Sequence, residues 1–146
     1  MKIIICIDTD NGMAFNNRRQ SMDREVFKDI MSYTNGQVYM TQYSAKQFPA
    51  SEQLNIISDY EMEEVIAQFN KEKQGGKGFY FVEAVHNDLE IKWAEELILY
   101  RWDKKYPSDS KLVLNKRKWQ LKDMLEFKGY SHEKIIREVY VPYEEN

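Results

Sequence analysis

Six polar residues in succession, Asn16, Asn17, Arg18, Arg19, Gln20 and Ser21, separate an apolar opening run from a helix-forming stretch. Arg18 and Arg19, with Arg24 just beyond, can each grip a carboxylate or phosphate through paired N–H donors. A helix beginning after them would add unpaired backbone N–H groups and the positive end of its dipole. The amides of Asn16, Asn17 and Gln20 and the Ser21 hydroxyl would complete a site for a small anion. A second reading of the same residues stays open, in which the arginines pair at the surface with Asp8, Asp10, Asp23 and Asp29.

Other residues that could do chemistry are sparse. Asp23 and Glu25 are the candidate acids, although carboxylates also favour a helix N-terminus for electrostatic reasons alone. His86 and His132 fall in unrelated loops and are expected at the surface, in no recognisable Ser-His-Asp or Cys-His spacing. Two histidines and one cysteine, Cys6, cannot build a His- or Cys-rich metal centre, so no metal is expected. Cys6 lies in "KIIICI" and reads as a buried core thiol. "KEKQGGKG" follows a helix and precedes a strand, the reverse of a phosphate-binding loop, and "NKRKWQLK" reads as a solvated basic run beside Trp119.

Positioning these side chains requires a core, and the composition allows one. With 146 residues, 14% aromatic and 31% charged, the chain is expected to form one domain over 1–146. A net charge of −3 argues against a duplex nucleic-acid partner. No apolar run is long enough to span a bilayer, and no secretory cleavage pattern follows the first one, so no membrane partner and a cytoplasmic location are expected.

"KIIICID" is continuously apolar and reads as a strand buried on both faces. The polar stretch follows as a loop, and Ser21 is expected to cap a helix with an apolar stripe of Met22, Val26, Phe27, Ile30 and Met31, stopped near Gly36. "QVYMTQ" reads as a strand, followed by a capping box of Ser44 and Gln47 and a short helix through Phe48. "LNIIS", a helix over "YEMEEVIAQFNKEK" capped from "SDYE", the strand "FYFVEA", a helix through "LEIKWAEE" capped by Asn87 or Asp88, and the strand "LILYRW" come next. The two segments around "GYSHE" alternate as an antiparallel hairpin. This order predicts an α/β fold with a mixed, mostly parallel central sheet, helices on both faces and a C-terminal hairpin. A ligand cleft is then expected beyond the carboxyl ends of the parallel strands.

The segments "CIDTDNGMAFNN", "GQVYMTQYSAKQF", "LNIIS", "FYFVEA", "ELILYRWDKKYPSDSKLVLNKRKWQL" and "IREVYV", in that order, resemble dihydrofolate reductase over almost the whole chain. The resemblance implies that family's fold, a substrate-covering loop at residues 11–25, and NADPH as cofactor. Its site residues transfer poorly. "RRQ" or "RQS" stands where the family has Leu-Pro-Trp, and Val26 stands where it has its acid, unless a local gap promotes Glu25 or Asp23. Thr41 and Gln42 replace the Gly-Arg that binds dinucleotide phosphates, and Glu83 and Ala84 replace a Gly-Gly at the pyrophosphate. Ser44 keeps the hydroxyl at the start of the second helix, and Asp59 brings another acid near the adenosine end. The chain is also similar to small bacterial proteins sometimes labelled ribonuclease Z, but lacks the HxHxDH cluster that name requires.

The expectation is therefore a diverged dihydrofolate-reductase-like protein that has lost NADPH-dependent reduction and binds a small anionic molecule or regulates through the ancestral cleft. No cofactor is expected, with NADPH only if the degenerate site still binds it. Two alternatives remain. One is a divergent enzyme on a pterin or nucleotide, an oxidoreductase of the dihydrofolate reductase type with Asp23 or Glu25 as acid. The other is a structural or partner-binding subunit, with the "IIREVYV" hairpin pairing or packing with another copy in a homo-oligomer.

Overall fold

The computed structural model describes residues 1–50, 53–69, 78–85, 91, 92 and 94–143. In chain order the first elements are β1 (Lys2–Ile7), β2 (Gly12–Phe15), β3 (Arg18–Arg19), α1 (Arg24–Thr34), β4 (Val38–Thr41) and α2 (Gln42–Ala45). They are followed by β5 (Asn55–Ile57), α3 (Asp59–Phe69), β6 (Phe79–Phe81), β7 (Glu96–Trp102), β8 (Ser110–Lys111), β9 (Trp119–Phe127) and β10 (Ile135–Pro142). Seven strands form one sheet in the order β5-β4-β6-β1-β7-β10-β9, and β3-β2-β8 form a small second sheet. The strands from β5 to β7 pair in parallel, and β10 and β9 close the sheet as the expected antiparallel hairpin.

Beyond Lys2, strand β1 is apolar because both of its faces are covered. Ile3, Ile5 and Ile7 join one core cluster with Leu97 and Leu99, while Ile4 joins the other with Ile98, Tyr100 and Trp102. The first cluster takes Met62 and, at its margin, Val65 and Ile66 of α3, and the second takes Val26, Phe27 and Ile30 of α1. Successive side chains of a strand point to opposite faces, so this two-sided packing leaves no position for a polar residue. Helix α1 buries only one stripe, as its spacing of apolar residues requires.

Several local expectations are corrected. The polar stretch after β1 is a hairpin, with Ala14 paired to Arg19 and Phe15 to Arg18. Its two turn residues, Asn16 and Asn17, have φ of 51° and 58°. Positive φ at both central positions is what a tight hairpin matching strand twist demands, and Asn tolerates it best after Gly. Ser21 does not cap α1; Asp23 does, accepting from the Glu25 N–H, and Met22 is left exposed ahead of the helix. The helix stops at Asn35, whose φ of 53° precedes the positive φ of Gly36.

Ser44 does not cap α2 either. The cap is Thr41, whose hydroxyl accepts from the Ser44 N–H, and the helix ends at Ala45 rather than Phe48. Ser58 does cap α3 as expected, its hydroxyl accepting from the Glu61 N–H. The last turn assigned to that helix, the "QGGKG" break and most of the helix through "LEIKWAEE", with His86, Asn87, Asp88 and Trp93, lie outside the described residues. Ala94 and Glu95 are not helical, and the Glu95 N–H donates to the Met1 carbonyl at 2.7 Å.

Replacing Ile98, which is fully buried in the strand next to β1, by Ala is expected to cost about 3 kcal/mol of unfolding free energy in urea titrations. Leu121→Ser, at an exposed position of β9, should stay within about 0.5 kcal/mol of wild type. Equal losses at the two positions would contradict the core assignment.

Candidate functional site

The turn leaving β1 is built on the buried carboxylate of Asp8. It accepts from the backbone N–H groups of Asp10, Gly12 and Tyr106 at 2.8, 2.7 and 3.1 Å and from the Gln20 amide at 2.9 Å. Burial alone would push this carboxyl up, and the four donors outweigh it and hold the group below its ordinary range. A Cβ on Gly12 would lie 2.6 Å from Asp8 Oδ2, so the turn can close this tightly only on glycine. Arg101 ties the turn to the sheet. Its guanidinium donates to the Asp8 carbonyl, to Asn11 Oδ1 and to Glu138.

The hairpin so fixed overhangs the carboxyl ends of β4 and β6, and a cleft of about 660 Å³ lies there, open to solvent. Its polar lining includes Asn17, Arg18, Thr41, Ser44, Glu83 and Lys111, against an apolar floor with Met62, Ile66 and Phe81. Glu83 is the best-held group in it. Its Oε1 accepts from Arg19 Nη2 at 3.1 Å, Ser44 Oγ at 3.0 Å and Gln47 Nε2 at 2.7 Å. Arg19 also donates to the Tyr43 carbonyl and lies 4.1 Å above the Tyr43 ring. Cys6, partly exposed on β1, has its thiol pushed up by burial and by the nearby Glu83 charge, which makes it a poor nucleophile.

A second cleft, of about 580 Å³, opens beside the first and is lined by Phe15, Asn16, Arg18, Arg19, Gln20, Tyr106 and Pro107. Arg18 therefore borders both. Behind Tyr106 lies a buried polar cluster. Asp23 accepts from the N–H groups of Glu25, Tyr130, Ser131 and His132 and from the His132 ring at 2.9 Å. His132 stacks on Trp102 with ring centroids 4.6 Å apart, and its Nε2 meets Tyr106 Oη at 2.9 Å and Ser21 Oγ at 3.1 Å. Burial would raise the Asp23 carboxyl, but the donors from Tyr130, His132, Glu25 and Ser131 overcome it and hold the group well below the usual carboxylate range.

No family model matches this sequence, and no curated protein matches it. Among solved structures, the dihydrofolate reductase of Enterococcus faecalis, complexed with NADP(H) and RAB-propyl, matches with a TM-score of 0.61. The match covers 98% of this chain and 96% of that one, at 9% sequence identity. The fold is dihydrofolate-reductase-like. At that identity the dihydrofolate-reductase-like fold carries the architecture and leaves the side chains of the site to be read on their own.

The structure distributes the anticipated site residues over three places. Asn17, Arg18 and Ser44 line the first cleft, and Asn16, Arg18, Arg19 and Gln20 the second. Ser21 lines neither and touches His132. The arginines do not pair with the aspartates considered for them. Arg19 pairs with Glu83 and Arg24 lies over the Tyr130 ring, while Asp29 is taken by Arg137 and by Tyr100, whose hydroxyl burial and the Asp29 charge push up.

His132 is buried rather than a surface loop residue. Asp23 is saturated with donors, and a carboxyl held this low has no proton to give near neutral pH. Glu25 pairs with Lys28 at the surface of α1. Among the described residues no three His, Cys, Asp or Glu side chains converge to hold a metal ion, and no helix is long and apolar enough to cross a membrane.

Asp23→Ala should destabilise the protein by about 3 kcal/mol at pH 7, since it removes a helix cap and strands the buried donors of His132 together with the part-buried N–H groups of Tyr130 and Ser131. Because the folded carboxyl titrates below its unfolded value of about 4, this stabilisation is present above that pH and fades as pH falls through the folded pKa. The gap between wild type and Asp23→Ala in urea titrations should accordingly shrink below about pH 4. A gap that is constant from pH 7 to pH 2.5 would show that the ionised form is not what is stabilised.

Proposed function

We propose that the protein binds a small anionic molecule in the clefts at the carboxyl edge of its dihydrofolate-reductase-like sheet and that it is not an NADPH-dependent reductase. The observation that carries this reading is Arg18. Its guanidinium is exposed, borders both clefts and, among the described residues, has neither carboxylate nor aromatic partner. Arg19, Arg101 and Arg137, by contrast, are each spent on a carboxylate. An arginine without such a partner at the rim of both clefts, with Asn17 beside it in the first and Asn16 beside it in the second, offers a carboxylate or phosphate a two-donor grip with neutral hydrogen bonds around it.

The solved reductase of the same fold holds NADP(H), which makes dinucleotide binding the reading to test against. Glu83 and Ala84 stand where the resemblance calls for a Gly-Gly, and Thr41 and Gln42 where it calls for Gly-Arg. Glu83 and Asp109 in the first cleft repel a pyrophosphate, and the Arg19 that faces Glu83 is already engaged. The lining of the second cleft holds Arg18 and, among the described residues, no carboxylate, which favours it for a small anion.

Titration with NADPH, dihydrofolate, inorganic phosphate, nucleoside monophosphates and small dicarboxylates, followed by tryptophan fluorescence and calorimetry, tests this. The expected result is saturable binding of a monophosphate or dicarboxylate that weakens at least tenfold in Arg18→Ala, equivalent to about 1.4 kcal/mol. Micromolar binding of both NADPH and dihydrofolate would overturn the reading, as would anion affinity indifferent to Arg18.

A further inference from the structure

The hydrogen bonds joining Asp23, His132 and Ser21 do more than the fold needs. Capping α1 and holding residues 130–132 require only the carboxylate and backbone N–H groups. The His132 ring adds a second layer. With its Nδ1 proton donated to Asp23 at 2.9 Å, a neutral imidazole presents the Nε2 lone pair to Ser21 Oγ at 3.1 Å. These are the distances and the order of roles in a hydroxyl activated by a base that a third group orients, a constellation recognised by geometry rather than by sequence position.

Three observations sharpen this. The Asp23 side chain has no exposed surface and is gripped from several sides, so it is fixed. The His132 ring is clamped against Trp102 and cannot swing away. Ser21 itself is partly exposed, and its neighbour Gln20 lines the second cleft together with Tyr106, whose hydroxyl shares His132 Nε2 at 2.9 Å. Two hydroxyl groups thus converge on one buried base, Tyr106 from the wall of the second cleft and the partly exposed Ser21 from just beyond its Gln20 edge.

We infer that Ser21 is an acyl-transfer nucleophile, with His132 as its general base and Asp23 orienting the ring, acting on small anionic carboxylic esters admitted through the second cleft and held by Arg18. In the first half-reaction Ser21 Oγ bonds to the ester carbonyl carbon while its proton passes to His132 Nε2. The C–O bond to the alcohol then breaks, and Nε2 returns that proton to the leaving oxygen. In the second half a water oxygen bonds to the acyl carbon while its proton passes to Nε2; the bond from that carbon to Ser21 Oγ then breaks, Nε2 returns the proton to Oγ, and a free carboxylic acid departs. Once Nε2 takes up the serine proton it no longer accepts from Tyr106, whose O–H is then released to donate to the carbonyl oxygen as it gains negative charge.

Incubating the full-length protein with diisopropyl fluorophosphate, and reading intact mass followed by peptide mapping, tests the nucleophile directly. One adduct, located on Ser21 and absent in Ser21→Ala, is the expected result, with labelling at least a hundredfold slower in His132→Gln. If His132→Gln does not fold, the wild-type and Ser21→Ala results decide alone. An unlabelled wild-type protein, an adduct on another residue, or equal labelling in a folded His132→Gln would overturn the proposal. For the substrate class, hydrolysis of mono(4-nitrophenyl) succinate and of 4-nitrophenyl acetate is compared. Arg18→Ala should lower kcat/KM at least tenfold more for the first than for the second; an equal effect on both would remove the anionic specificity.

Discussion

The Asp23 carboxylate satisfies three parts of the molecule at once. It caps α1, it closes the loop between β9 and β10 by accepting from successive backbone N–H groups, and it sets the orientation of His132. The His132 N–H and ring nitrogen would otherwise be buried, unpaired polar groups, which cost far more than a hydrogen bond returns. The segment from Gly129 to His132 can approach closely enough only because residue 129 has no side chain. A Cβ there would lie 2.6 Å from Asp23 Oδ2. One ionised group therefore couples the first helix to the last hairpin, although more than a hundred residues separate them.

A second anionic anchor, Asp8, does the same for the opening hairpin. Because β1 is buried on both faces, its end is rigid, and the turn bound to Asp8 launches β2 at a fixed angle over the sheet. What the clefts contain follows from where that hairpin lands. Its paired residues put Arg19 inward against Glu83 and leave Arg18 outward at the rim, so adjacent and chemically identical side chains have different fates. Alternation along a strand, not charge, separates them.

The architecture was legible because it rests on patterns that a strand or helix must show. The run "KIIICID" could only be covered on both faces, and the alternation around "GYSHE" required a hairpin. Caps were harder. Ser21 and Ser44 have the right chemistry for a cap, yet Asp23 and Thr41 hold those positions, and the two serine hydroxyls turn to His132 and Glu83 instead. The Asn16–Asn17 pair has the chemistry of hydrogen-bonding ligand donors, whereas its tolerance of positive φ between two short β-stretches is the signal of a hairpin turn. The cluster around His132 left no trace along the chain, since its members come from three distant segments and meet only when the sheet is complete. Glu83 was legible as a carboxylate out of place for a dinucleotide site, but its pairing with Arg19 was not.

The outer hairpin has one more property. Pairing between β10 and β9 slips at Val139 and Tyr140, so that Lys122 has no opposite residue. β9 is the edge of the main sheet and exposes Leu121, Met124 and Leu125, the kind of strand on which a foreign strand could grow. The slip breaks the ladder that an incoming chain would have to follow, and Lys122, Asp123 and Glu126 set charges along it. The slip divides this border into two short regular stretches, Trp119–Leu121 and Asp123–Phe127, and a border broken in that way limits runaway stacking of sheets from one molecule to the next.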